Sequence, residues 1–227
     1  MNRASTFLAR RVVSRIVAQE RPRAALVRFI YYTEEFVERY DIEPVLPHLD
    51  DDERAAMLRH FKDEQSHARA LRKYCLDQGL PIERSPGEEA LIRRSDEGYA
   101  QYLRHLDATT SRFTPDDMLA YYAHVQVQED LADTAYQVVA GELERQEQHP
   151  KLVRILRAFA RSEVEHRGYA ERFLDKYQGR LGAARRAEVE RRTRRQSALS
   201  SLHFGRDFLK LLVREHDFQP GVLRLVC

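Results

Sequence analysis

The sequence predicts an all-α protein, a four-helix bundle with a long crossover and additional helices at both ends. Three observations carry that prediction. Apolar residues recur at helical spacing through most of the 227 residues, while strand-like alternation is scarce. Glycine (9) and proline (8) are few, and most fall where the helical patterns break. With 43% hydrophobic residues the chain can bury one substantial core, so a single domain over 1–227 is the simplest organisation.

The opening segment places Phe7, Leu8, Val12, Ile16 and Val17 among arginines, the pattern of an amphipathic helix that Arg21-Pro22 interrupts. A long helix follows from about Ala24 to Tyr40. Glu43-Pro44 and Pro47 mark a connection, and Asp50 to Asp52 supply a cap for a helix over about 52–78, which Gly79 and Pro81 end. Residues 82–115 form the crossover, with a helix expected near 87–107 carrying Tyr99, Leu103 and Leu106. Thr114-Pro115-Asp116 reads as a cap followed by proline at the first helical position, opening a helix to about 146. His149-Pro150 starts the next, about 151–177, expected to end before Gly179 and Gly182. After it come a basic run, RRAEVERRTRR at 185–195, and a final amphipathic segment with Leu199, Leu202, Phe204, Phe208, Leu211, Leu212 and Val213. Two short connections and one long crossover give hairpin, crossover, hairpin over 24–178, with 179–227 as a C-terminal extension.

Composition narrows the classes of function. The 38 basic and 36 acidic residues leave a formal charge of +2, which does not call for a polyanionic partner. The arginine-rich opening and the 185–195 run are expected as solvated helix faces. Cys75 lies in an apolar stripe and Cys227 is the last residue, so no disulfide scaffold is indicated. No apolar run approaches the roughly 18 residues of a membrane span, and no secretory pattern follows the start. The expectation is a soluble, cytoplasmic protein.

One stretch resists a purely structural reading. In FKDEQSHARAL, from Phe61, the residues Met57, Phe61, Ala68, Leu71 and Cys75 form one stripe at about 100° per residue. Glu64 falls near its centre and His67 toward its edge, and a carboxylate facing a core is costly unless something pairs with it. The chain repeats the pattern. FARSEVEHRGYAERFL, from Phe159, holds Glu163-x-x-His166 inside the stripe of Leu152, Leu156, Phe159, Ala170, Phe173, Leu174 and Tyr177. Each ExxH lies on the second helix of its own hairpin. On the partner helices, Glu129 shares a face with Tyr122, Val125, Ala132, Tyr136 and Ala140, with Asp130 and Asp133 as close competitors. In the first hairpin Glu34 and Glu35 are adjacent, and periodicity does not choose between them.

The spacing has a direct physical use. Positions i and i+3 project to one side of a helix, so Glu and His can hold one metal, and a carboxylate from another helix can bridge two metals. Four carboxylates neutralise two divalent cations; without metal, four acids so close would repel and protonate. One imidazole per metal leaves coordination positions open. His60, His105, His124, His149, His203 and His216 lack such partners and are expected at the surface or in packing. Tyr32, Tyr122, Tyr136 and Tyr169 are candidates for lying near the metals, with core packing the simpler role.

In these residues the chain resembles the ferritin-like di-iron carboxylate superfamily: Glu34 or Glu35, Glu64-Gln65-Ser66-His67, Glu129, and Glu163-Val164-Glu165-His166, over roughly 24–178. The paired cysteines typical of rubrerythrins are absent. Phe159 stands where the arylamine oxygenases of this superfamily carry an extra histidine, one turn before the last ExxH. The layout is most similar to small oxygenases of the aldehyde-deformylating and tRNA-hydroxylase kinds. The resemblance implies a non-haem di-iron oxygenase or oxidase, with Glu64, Glu129 and Glu163 as catalytic carboxylates. It also implies two iron ions as cofactors, with di-manganese or mixed Mn/Fe as alternatives. The implied reaction uses dioxygen to oxidise a small organic substrate, apolar or carrier-bound. No GxGxxG loop or iron–sulfur cysteine set is present, so an external electron donor such as a ferredoxin is implied. A homodimer is a candidate assembly, and nucleic acid ranks below a small substrate. The alternatives are a ferroxidase or iron-storage protein and a tRNA-modifying hydroxylase.

Overall fold

The computed structural model describes residues 3–38, 46–94 and 114–220, and among them every regular element is helical. The helices are α1 (Arg3–Val17), α2 (Glu20–Glu38), α3 (Asp51–Asp77), α4 (86–94), α5 (Pro115–Arg145), α6 (Pro150–Leu181) and α7 (Ala183–Glu215), with a 3-10 turn at Leu46–His48. This is a four-helix bundle, α2, α3, α5 and α6, with helices added at both ends. The expected Glu43-Pro44 connection, and the crossover positions Tyr99, Leu103 and Leu106, lie outside the described residues.

Local chemistry fixes the helix starts. At α3, Asp50 accepts from the Glu53 amide at 3.0 Å while Glu53 accepts from the Asp50 amide at 3.2 Å, a reciprocal cap. At α5, Thr114 and Asp117 repeat the arrangement ahead of Pro115. The first break falls at Ala18–Gln19, ahead of the expected Arg21-Pro22, because Pro22 sits in the first turn of α2, where amides have no intrahelical acceptor. α6 also outruns its expected end: it continues through Gly179 to Leu181, and Gly182 (φ 90°, ψ 154°) makes the corner. The basic run and the apolar segment after it form one helix, α7, rather than two units.

α3 and α6 run antiparallel. Tyr177, near the end of α6, donates to Glu53 at the start of α3 (2.8 Å), and Lys151 at the start of α6 pairs with Asp77 at the end of α3. α5 and α6 make the closest hairpin, α2 packs on α3, and α7 lies along α5 and α6. The end of α7 is tied in by a buried polar group, with Glu88 of α4 pairing with Arg28 of α2 at 2.7 Å and with His216 at 3.3 Å. Two apolar clusters fill the bundle. One holds Leu71, Leu143, Leu152 and Leu156; the other holds Met57, Leu119, Ala170 and Leu174. Between them, at the level of residues 60–67 of α3 and 159–166 of α6, the interior is polar. Among the described residues no helix is long and apolar enough to cross a membrane.

Candidate metal centre

The polar layer is built by helical spacing. On α3, His60, Glu64 and His67 stand at i, i+4 and i+7, on one face. On α6, Phe159, Glu163 and His166 repeat those steps. α2 contributes Glu34 and α5 contributes Glu129. Their ligand-type atoms fall into two groups, His60, Glu64, Glu129 and His166 in one and Glu34, Glu64, His67 and Glu163 in the other, all within 4.8 Å of one another in each group.

Glu64 and Glu163 each face both groups. Glu64 Oε1 lies 3.4 Å from His60 Nε2 and 3.3 Å from His166 Nδ1, while its Oε2 lies 3.8 Å from His67 Nδ1. Glu163 Oε2 is 2.9 Å from His166 Nδ1 and its Oε1 is 3.6 Å from His67 Nδ1. At the flanks, Glu34 meets His67 Nδ1 at 3.1 Å and Glu129 meets His60 Nε2 at 3.3 Å. Glu163 and His166 are each 1% exposed, so this is interior chemistry.

Without metal, buried carboxylates and imidazoles packed this closely compete for protons. Burial, with the charge of Glu64, drives Glu34 well above the usual carboxylate range, and burial drives Glu163 up to about 9. Burial alone would lower His60 and His166, but the carboxylates of Glu163 and Glu64 take His166 up to about 11, and those of Glu129 and Glu64 take His60 up to about 9. Burial would raise Glu64, yet the three histidines around it hold it well below its ordinary value. The site is thus a proton store held together by charge. One atom is left over: Glu64 Oε1, the oxygen between His60 and His166, is buried and accepts no hydrogen bond. A divalent cation there would satisfy it and replace the protons, so the residues fit a metal pair.

Neighbouring side chains hold the set in place. Tyr136 donates to Glu34 Oε1. His166 turns Nδ1 to the carboxylates and Nε2 to Asp63 Oδ2 at 3.3 Å, the arrangement that orients a metal-bound imidazole. Phe159 stacks on His67 with centroids 4.0 Å apart, and the rings of His60 and His166 lie 4.2 Å apart.

The structure brings together Glu34, Glu64, His67, Glu129, Glu163 and His166. It places Glu35 elsewhere, accepting from Tyr31 at 2.7 Å and from Arg84 at 2.8 Å. Asp130 and Asp133 turn to Arg167. Of the four tyrosines considered, only Tyr136 bonds a member of the set: Tyr32 donates to the Ile82 carbonyl, Tyr122 packs on Phe173 and Tyr177, and Tyr169 meets Arg59 and Arg172. His60, expected at the surface or in packing, is instead a member of the first group. Its signal was present in the sequence as HFKDEQSH, a histidine one turn before the first ExxH. Asp63 carried no signal, because it lies outside the apolar stripe.

Comparison with family models, with curated proteins and with solved structures finds no match.

Proposed function

We propose that this protein is a non-haem di-iron oxygenase that uses dioxygen to oxidise a small organic substrate, with electrons from an external donor such as a ferredoxin. The carrying observation is that Glu64 and Glu163 each direct one oxygen to each of two Glu/His groups. Glu64 and Glu163 so placed would serve both ions of a metal pair. Glu34 and His67 would complete one half; Glu129, His166 and His60 would complete the other.

Iron bound there supplies redox chemistry with dioxygen that no side chain of the chain can perform. The protein's own residues do the rest. Tyr136 fixes Glu34, Asp63 fixes His166, and Phe159 covers the His67 side with an apolar ring that keeps water away. Glu64, Glu129 and Glu163 would hold the metals as ionised carboxylates beside the open coordination positions, the catalytic role we propose for them.

A cleft of about 640 Å³ lies beside α2 and α3, with Tyr31, Tyr32, Ala68 and Arg84 in its walls. Its size suits a small ligand. Three arginines (Arg69, Arg72, Arg84) face three glutamates (Glu35, Glu83, Glu89) around it, a balance that does not favour a phosphodiester backbone. Within the basic run, Arg185 pairs with Asp116, and Arg186 with Glu171, Asp175 and Glu190, which weakens the case for tRNA further.

Anaerobic loading with ferrous iron followed by air should give a transient visible absorption and substrate-dependent oxygen uptake with a reductant present. Protein that holds iron but consumes oxygen only in proportion to added Fe(II), and assembles as a many-subunit shell, would be a ferroxidase instead.

A further inference from the structure

The two halves of the centre are related by an approximate two-fold exchange of the hairpins. Glu34 corresponds to Glu129, Glu64 to Glu163, and His67 to His166. One pair breaks the correspondence. Four residues before Glu64 stands His60, and four before Glu163 stands Phe159. Each reaches across to the other hairpin's histidine: His60 lies on His166 (4.2 Å), and Phe159 lies on His67 (4.0 Å). One half therefore has two imidazoles beside its carboxylates, and the other has one imidazole and a phenyl ring.

We infer that the centre discriminates between its metals when both are offered, preferring iron(II) in the half built by His60, Glu129 and His166 and manganese(II) in the half built by Glu34 and His67, while iron alone fills both halves. The inference rests on the cluster being a two-metal site. Affinity rises from Mn(II) to Fe(II) at any such donor set, and imidazole nitrogen suits iron while carboxylate oxygen suits manganese. With both ions supplied, the half with the extra nitrogen gains most from iron, and the half with a single imidazole concedes least by holding manganese. Glu64 and Glu163 are shared, so the preference comes from His60 alone.

Metal-free full-length protein, loaded anaerobically with one equivalent each of Mn(II) and Fe(II) per chain, should show this in crystals by anomalous scattering at the two absorption edges. Iron should exceed manganese several-fold in the His60 half, with the reverse in the other. His60→Phe should bind both metals with that bias removed, and Phe159→His, which restores a histidine to the opposite half, should remove it independently. Both metals bound but evenly mixed, manganese in the His60 half, or a bias that His60→Phe and Phe159→His leave intact would overturn the inference while the two-metal site stands. Less than one metal per chain would overturn the site itself, and the inference with it.

Discussion

At Asp63 one half-buried carboxylate positions a buried imidazole. Its Oδ2 holds His166 Nε2, which leaves Nδ1 facing Glu64 and Glu163. Asp63→Ala should therefore weaken metal binding by about 10- to 100-fold while leaving the helical circular-dichroism spectrum intact. Titration with a spectroscopically visible divalent ion such as Co(II) measures it. Protons make a second prediction. In the metal-free protein His60, His166 and Glu163 titrate above their ordinary values, so the stability they contribute is present at low pH and is lost as pH rises through about 9 to 11. Glu64 is lowered and is already ionised at neutral pH, so it adds no slope there. Metal requires all of these groups deprotonated and binds more tightly over the same interval. The Tm gap between loaded and metal-free protein should widen from pH 6 to pH 9; a gap that narrows would mean the groups are not the ligands.

Among the elements, the corner between α6 and α7 depends on one residue. Gly182 has φ 90° and ψ 154°, a region only glycine enters without strain, and a Cβ there would meet nothing within 4 Å. Gly182→Ala should cost about 1–3 kcal/mol from backbone strain alone, read as a lower denaturant midpoint. Helix starts were legible in sequence because capping chemistry is local: Thr114-Pro115 and Asp50 are where the pattern places them. The α6 end was not, because Gly179 adds only about 1 kcal/mol of helix penalty, which tertiary packing of α6 overrides. The choice between Glu34 and Glu35 was equally out of reach. Both flank the α2 stripe, and what separates them is Arg84, which follows α3 and draws Glu35 away. His60 was within reach, since a histidine at i−4 of an ExxH shares its face.

On the scale of the whole molecule, the two apolar clusters confine the polar layer to the middle of the bundle, where four helices converge. Burial of leucines such as Leu71, Leu156 and Leu174 stabilises each end by about 1.5–3 kcal/mol per side chain, which offsets the cost of four buried acids between them. Leu156→Ala should lower stability by about 2–5 kcal/mol in the loaded and metal-free forms alike, since Leu156 belongs to an apolar cluster and supplies no ligand. Metal itself should add stability only where the centre is intact. The most direct test is therefore the equilibrium stoichiometry of ferrous iron on anaerobic, metal-free protein, measured beside the variant carrying both Glu64→Ala and Glu163→Ala. The account predicts two ions per chain for the protein and essentially none for the variant. Fewer than one ion per chain, or uptake that the double substitution leaves unchanged, would contradict it.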